Sequence, residues 1–499
     1  MSRCIRLASA PPPPPAALLR VPPPAQHARV AATLRQGDAA DYAGRTSLHR
    51  YATAGDAAGL RRSLQQQGGF NVDEKDDNEC TALHLAAMSG SEECIAELLA
   101  AGANPSATEC RGITPLHFSV LLGSPAGTQA LIAAGAPLEA CVGDAFSVMQ
   151  MDMRASTGLG DRPLHWAALR TAGPYTDGIG AHVELLLAAG ADPNARNDCR
   201  CTPLIYAALG GRPELGGNAE AVRLLLAAGA DSTVQDHDTG FTALHWAAFG
   251  GLTCAFALKA LLDGGADPNA RSPTGLTPLH VACQAAIPGY MDDMCVAALL
   301  RAGADPAAME YQGVTPAHFA AVAGSAAAIQ LLAEAGVLVD SVTTVSASTV
   351  TAIRDDRGMV RRVAATGQGC TPLHWAAQAA QPEAVAALLA AGADPEARDA
   401  LGRTALHHAA AGDAVERINA SLPNTRRIPL GTNSNEPGFM EAALEWTGGS
   451  GTESRQAACV RSLLAAGADR GAREGSGLTP ADLAARHNHT VCLKLLAGK

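Results

Sequence analysis

Residues 371–403 read TPLHWAAQAAQPEAVAALLAAGADPEARDALGR, and at Thr404 the chain begins the same phrase again with TALH. Within this stretch Thr371 is placed to cap a helix through its hydroxyl, and Pro372 stands at the first helical position, where a missing N–H costs nothing. Small residues follow at Ala376 and Ala377 and let a neighbouring helix approach closely. A second helix carries apolar residues at i, i+3 and i+4 in Val385, Leu388 and Leu389. It stops at Gly392, because glycine accepts the left-handed conformation that ends a helix. Asp394 and Pro395 then favour a turn.

The phrase recurs eleven times, starting at Thr46, Thr81, Thr114, Arg162, Thr202, Thr242, Thr277, Thr315, Thr371, Thr404 and Thr479. Successive starts are 35, 33, 48, 40, 40, 35, 38, 56, 33 and 75 residues apart, so 33 is the unit and larger values mark insertions. The second-helix stripe repeats as Ile95, Leu98, Leu99; Val183, Leu186, Leu187; Val222, Leu225, Leu226; and Val296, Leu299, Leu300. Stops recur at Gly102, Gly190, Gly229, Gly303 and Gly467. A unit this small cannot bury a core alone, so the copies must stack.

TPLHWAA followed by LLLAAGADPNAR is similar to the ankyrin repeat, over roughly residues 40 to 499. The resemblance implies an all-α chain: an ankyrin-repeat α-solenoid of stacked helix-turn-helix units with projecting β-hairpin-like fingers, its concave face made by fingers and first helices. The expected organisation is a disordered Pro-rich segment or targeting peptide over 1–37, ankyrin repeats over 38–412, an insertion loop over 413–454 in the tenth repeat, and the last ankyrin repeats and a C-terminal cap over 455–499. Arg29 to Gly44 suits a half-repeat cap. Insertions near 142–158 and 337–366 lengthen fingers, and the β-branched run VLVDSVTTVSASTVTAIRD in the second suits an extended ribbon. Asn, Gly, Pro and Ser cluster at Leu430 to Gly438, so the 413–454 loop is expected to be mostly disordered. Smaller insertions around Pro174 to Gly180, Gly211 to Gly217 and Ile287 to Met291 give one rim an irregular surface.

Composition agrees with a thin aliphatic interior, since apolar residues reach 47% while aromatics reach only 4%. With 37 Lys and Arg against 48 Asp and Glu, the net charge of −11 repels phosphate backbones, and no nucleic-acid partner is expected. No apolar run approaches the roughly 20 residues of a spanning helix, so no membrane insertion is expected. Thirteen cysteines, irregularly spaced and without a CxxC, fit a reducing compartment, and Cys199 and Cys201 read as ordinary loop residues. Residues 1–37 hold no acid, five arginines and two proline runs. That reads as a disordered tail, or alternatively as an organelle presequence, or as a proline-rich ligand for SH3-type or WW-type domains. A cytoplasmic location follows, with chloroplast or mitochondrion as the alternative.

His49, His84, His117, His165, His245, His280, His318, His374 and His407 look like a metal array, yet at one per repeat they lie a repeat apart. The resemblance implies that this imidazole ties neighbouring backbones together. His487 and His489 lack a one-face helical spacing, and His408 gains nothing from adjacency to His407. Trp166, Trp246 and Trp375 share one slot with Phe118, Tyr206 and Phe319, which suits packing or, alternatively, a partly exposed partner surface. There is no GxSxG, no phosphate loop, no HExxH and no EF-hand series. Asp192, Asp231, Asp267, Asp305, Asp394 and Asp469 recur at finger bases, which is turn chemistry. No catalytic residue, metal site or cofactor is therefore expected, and no enzyme.

By resemblance, recognition falls at finger tips and the ends of first helices: Arg111, Ile113, Leu121, Leu122, Asp161, Leu169, Phe241, Phe249, Tyr311, Val314, Val322, Gln378 and Arg403. Several are apolar where solvent would tolerate polar residues, which suits a protein partner; the alternative is packing between fingers. Asn194 and Asn269, each eight residues after Leu186 and Leu261, resemble sites that asparaginyl hydroxylases modify, although the repeat consensus alone also places them. The expected function is a monomeric, non-catalytic protein–protein interaction scaffold or adaptor. The alternative is a substrate-recruiting subunit of a ubiquitin-ligase or organelle-import assembly, although the end at Lys499 leaves no room for a terminal recruiting box.

Overall fold

The structure, a computed structural model, describes residues 44–66, 71–143, 160–169, 180–209, 218–250, 254–285, 293–337, 339–344, 347–354, 360–411 and 451–498. The expected tail, the half-repeat cap before residue 44, the 413–450 part of the tenth-repeat loop, residues 144–158 and the rim insertions lie outside the described residues, apart from Gly180.

The chain divides into two compact units, Met1–Pro273 and Thr274–Lys499. In the first, six helix pairs follow one another: α1 (Ser47–Ala54) and α2 (Ala57–Gln66), α3 (Ala82–Ser89) and α4 (Glu92–Ala100), α5 (Pro115–Leu122) and α6 (Pro125–Ala133), α7 (Pro163–Leu169) and α8 (Ala181–Ala188), α9 (Pro203–Leu209) and α10 (Ala219–Ala227), α11 (Ala243–Phe249) and α12 (Ala255–Asp263). The second holds five: α13 (Pro278–Ala285) and α14 (Asp293–Arg301), α15 (Pro316–Ala323) and α16 (Ala326–Glu334), α17 (Pro372–Gln378) and α18 (Pro382–Ala390), α19 (Ala405–Ala411) and α20 (Gly451–Ala465), α21 (Pro480–Arg486) and α22 (Thr490–Leu496). Within each unit every first helix packs on the first helix of the next repeat, and second helices stack likewise. Each repeat thus buries its core against its neighbours, as a solenoid must.

Burial follows the small-residue pattern. Ala86, Ala87, Ala167, Ala168, Ala207 and Ala208 in the first unit, and Ala320, Ala321, Ala376 and Ala377 in the second, are at most 1% exposed. Within the second-helix stripe the i and i+3 positions are fully covered: Ile95, Leu98, Val183, Leu186, Val385 and Leu388 are 0% exposed, while Leu99, Leu187 and Leu389 form a half-exposed shoulder. Each fully buried leucine contributes about 2 kcal/mol of transfer free energy. Second helices end as expected: Gly392 adopts φ +92°, with Gly392 N–H donating to Leu389 O at 3.1 Å and Ala393 N–H to Leu388 O at 3.0 Å. That pair of bonds satisfies carbonyls the helix leaves open.

The one sheet among the described residues is the ribbon expected from the β-branched insertion. Its strands β1 (Ala347–Arg354) and β2 (Val360–Gly367) pair antiparallel from Ala347 opposite Gly367 to Arg354 opposite Val360. The finger base beneath it is intact: Thr343 N–H donates to Cys370 O at 3.0 Å, and Cys370 N–H donates to Thr343 Oγ1 at 3.1 Å. The earlier finger insertion closes in the same way, with Val142 N–H donating to Asp161 O at 3.0 Å. Both insertions therefore enter between the limbs of a finger. The ribbon backbone then lies against the first helices α15 and α17 of its own unit.

Candidate partner-binding surface

The rigid frame comes from the Thr-x-x-His phrase. At each capped first helix the N-cap N–H donates to the histidine Nδ1 three residues on, as in Thr81 to His84 at 3.1 Å and Thr315 to His318 at 3.2 Å. Nδ1 is thereby fixed as an acceptor, so Nε2 carries the proton and donates to the backbone of the next repeat. His84 Nε2 lies 3.1 Å from Ile113 O, His165 Nε2 3.0 Å from Cys201 O, His318 Nε2 3.0 Å from Cys370 O, and His374 Nε2 3.0 Å from Arg403 O. One imidazole thus caps its own helix and clamps the following finger. Where Ile205 replaces the histidine, the backbone cap alone is kept, with Ile205 N–H donating to Thr202 Oγ1 at 3.4 Å as His374 N–H does to Thr371 Oγ1. In the last repeat Asp482 takes the capping place, accepting from Thr479 N–H at 2.8 Å.

Such a histidine works only when neutral, since a second ring proton would face the Thr N–H. Burial pushes His84, His165, His318 and His374 down to about 4 and His117 to about 3. These imidazoles are structural, and the aromatic slot is too. Trp166, Trp246 and Trp375 are 2%, 6% and 0% exposed, and rings in this slot meet the preceding repeat's imidazole edge-on, as His117 with Trp166 at 5.1 Å and His318 with Trp375 at 5.0 Å. A partner-facing role for the tryptophans is set aside by that burial.

Fingers are tied to one another at their tips by single backbone bonds. In the first unit Gly143 N–H donates to Arg111 O at 2.8 Å and His237 N–H to Cys199 O at 2.9 Å. In the second, Tyr311 N–H donates to Thr274 O at 3.2 Å, Thr344 N–H to Gln312 O at 3.0 Å, and Gly475 N–H to Leu401 O at 2.8 Å. In several repeats a polar residue five before the cap braces the same finger: Glu109 Oε1 accepts from Arg111 and Ile113 N–H, Glu310 Oε1 from Gln312 and Val314 N–H, and Asp399 Oδ1 from Leu401 and Arg403 N–H. That brace was not singled out in the sequence, although in these three repeats it stands at the same offset from the cap. The expected turn role of the other carboxylates is met, Asp192 Oδ1 accepting from Asn194 N–H at 2.9 Å and Asp305 Oδ1 from Ala307 N–H at 2.9 Å. The Asn194 amide also bridges to the next repeat, donating to Gly229 O at 3.1 Å and accepting from Asp231 N–H at 2.7 Å.

Of the thirteen residues assigned to recognition, eight are buried: Ile113 0%, Asp161 0%, Leu169 9%, Phe241 5%, Phe249 7%, Val314 3%, Val322 0% and Gln378 9% exposed. The reasons differ. Ile113 and Val314 immediately precede a cap, where the next finger folds inward and the carbonyl takes the imidazole bond. Asp161 is held by Tyr206 Oη at 2.9 Å and Asn197 Nδ2 at 2.8 Å. Phe241 stacks on His245 at 5.0 Å, and Phe249 meets Trp246 edge-on at 6.0 Å. Val322 and Gln378 end the helices on which the ribbon lies; in repeats without a ribbon the same slot is half-exposed at Met88, Leu121 and Leu209 and buried at Leu169, Phe249 and Ala411. Reachable from solvent are Tyr311 at 73% exposure and the half-buried Arg111, Leu121, Leu122 and Arg403, the last paired with Glu474 at 2.5 Å. Beside Tyr311, the second unit also exposes Leu401 (60%), Val342 (48%) and Met309 (46%) on its fingers.

One trio of potential metal donors lies close together among the described residues: Cys370, Asp399 and His408, their ligand atoms within 4.8 Å of one another. Neither Cys199 and Cys201 nor His487 and His489 belong to such a group. No described helix is long and apolar enough to cross a membrane.

A family model described as ankyrin repeats in three copies matches residues 48–140, 164–271, 253–343 and 349–420. The Drosophila melanogaster neurogenic locus Notch protein is 42% identical over 103 residues, which is 19% of this chain and 4% of that protein. The Arabidopsis thaliana E3 ubiquitin-protein ligase KEG is 28% identical over 225 residues, 45% of this chain and 12% of that one. The chain therefore spans a small part of these curated relatives. The crystal structure of the human ASB11 ankyrin repeat domain overlaps 52% of this chain and 100% of its own at 25% identity, with a TM-score of 0.41. Ankyrin repeats are typically protein–protein interaction modules without catalysis, and with more than half of its length matched, this chain belongs to the ankyrin-repeat family.

Proposed function

We infer that this protein is a non-catalytic scaffold or adaptor that grips protein partners on its finger tips. The observation that carries this reading is the exposure of Tyr311, Leu401, Val342 and Met309 on fingers whose backbones are already tied together. Large apolar side chains out in solvent suit a partner surface, and a fixed backbone keeps the ordering cost of binding low. In the first unit Arg111, Leu121 and Leu122 play the matching part. Ile113, Val314 and the other buried residues support the face from below.

The test is affinity purification with the full chain and with a Tyr311→Ala, Leu401→Ser double variant, folding being checked by circular dichroism. A partner retained by the parent and lost by the folded variant supports the reading. No partner in either case, or equal recovery in both, overturns it.

A second reading is substrate recruitment to a ubiquitin ligase, favoured by the 28% identity to a ligase over 45% of the chain. Co-purification of ligase subunits separates it from a plain adaptor. An organelle-import role ranks with it, and a cytoplasmic location is the first reading. A fluorescent reporter fused to residues 1–37 distinguishes the two.

A further inference from the structure

In this array three positions from two neighbouring repeats converge: the residue just before one cap, the finger brace of the next repeat, and the aromatic slot of that next repeat. Where they are Asp161, Asn197 and Tyr206, the phenol and the amide both bond the Asp161 carboxylate. Where they are Cys201, Asp236 and Trp246, the indole Nε1 donates to Asp236 Oδ2 at 2.8 Å. At the third instance the residues are Cys370, Asp399 and His408, and only there are all three side chains metal-ligating types.

The donors are held before any ion arrives. Asp399 Oδ1 accepts from Leu401 N–H at 2.9 Å and Arg403 N–H at 2.8 Å, which turns Oδ2 toward His408 Nε2 at 2.9 Å. The Cys370 backbone is pinned at both ends, its N–H by Thr343 Oγ1 and its carbonyl by His318 Nε2. Gly367 closes over the sulfur so tightly that a Cβ there would sit 2.3 Å from Sγ. The three residues are 0%, 9% and 6% exposed, so water competes weakly for them. A tetrahedral ion about 2.0 to 2.3 Å from each donor needs them roughly 3.2 to 3.8 Å apart, so donors as much as 4.8 Å apart close by about 1 to 1.6 Å while the Asp399 Oδ2 and His408 Nε2 pair, now 2.9 Å apart, opens by a few tenths.

We propose that Cys370, Asp399 and His408 form a three-donor site for a divalent ion of the zinc class, with water as the fourth ligand. One sulfur, one nitrogen and one oxygen suit a borderline ion and are a poor set for magnesium or calcium. Binding releases the thiol proton of Cys370 and moves the single imidazole proton of His408 from Nε2 to Nδ1, so the site loads better as pH rises.

Cobalt(II) serves as the spectroscopic probe, titrated into the reduced full chain and competed with zinc. The expected result is thiolate-to-cobalt charge-transfer absorption and tetrahedral d–d bands that saturate at one equivalent and are bleached by zinc. Both are lost in Cys370→Ser and in His408→Trp. The second variant installs the indole that Trp246 already sets against Asp236, so the fold is retained, as an unchanged circular dichroism spectrum without metal confirms. Absence of the bands in the parent, or bands of equal strength in the parent and the folded His408→Trp variant, overturns the site.

Discussion

Acidification to pH 5 is expected to strip this array of much of its stability through its buried histidines. Each clamping imidazole is neutral when folded, with its pKa pushed by burial to about 4, or about 3 for His117, against about 6.5 in the unfolded chain. Above about pH 6.5 both states are neutral and the contribution is complete. As pH falls below that value the unfolded chain takes up protons that the folded one refuses, so stability drops until the folded pKa is reached. At pH 5 the difference is about 2 kcal/mol for each histidine at 1.36 kcal/mol per pKa unit. This makes about 6 kcal/mol across His84, His117 and His165 in the first unit, and about 4 across His318 and His374 in the second. Whole domains have only about 5 to 15 kcal/mol. The carboxylates held low, Asp399 and Glu474, lose their contribution only below their unfolded values, in a separate and more acidic window. Urea unfolding followed by far-ultraviolet circular dichroism at pH 7.5, 6.5, 5.5 and 5 reads the slope directly. Equal midpoints at pH 7.5 and 5, or ring carbons assigned to His84, His117, His165, His318 or His374 titrating near 6.5 in the folded protein, refute the neutral-clamp argument.

Three further outcomes follow from the same geometry, each read by urea unfolding near neutral pH. His318→Leu leaves Thr315 N–H unmatched in the interior and strips Cys370 C=O of one of its two donors, and costs about 1 to 3 kcal/mol, so a loss under about 0.5 would show the clamp to be idle. Gly392→Ala meets no atom within 4 Å, so its cost of about 1 to 2 kcal/mol comes from the left-handed backbone alone, and Gly392→Asn recovers part of it. Leu388→Ala costs about 2 to 5 kcal/mol because its site is fully covered, while Tyr311→Ala changes stability by less than about 0.5 and lowers partner binding, the reverse pairing being incompatible with the assigned burial.

What could be read from the chain alone was whatever is settled within one repeat. Thr, Pro, His and Gly sit at fixed offsets, and each answers a local backbone demand: a cap, a first-turn proline, a clamp, a left-handed stop. Copies of one phrase then force stacking, and all eleven helix pairs are found. Even the ribbon was legible, because β-branched residues crowd its first strand. Its second strand went unmarked, since Val360–Gly367 contains two arginines, two alanines and a glycine and acquires its strand character only by pairing with Ala347–Arg354. The recognition residues fared worse for a related reason. A slot number says where a side chain stands on its own helix; it does not say what a neighbouring repeat lays over it. Leu121 and Val322 occupy the same slot, yet one is half-exposed and the other wholly buried, and the ribbon lies only against the helix of the second. The donor trio was hidden in the same way. Cys370 and Asp399 lie 29 positions apart and His408 nine beyond, no metal motif has that spacing, and only the one-repeat step between stacked fingers turns it into an approach within 4.8 Å. Function in a solenoid accordingly depends on differences between adjacent copies, which a consensus reading averages away.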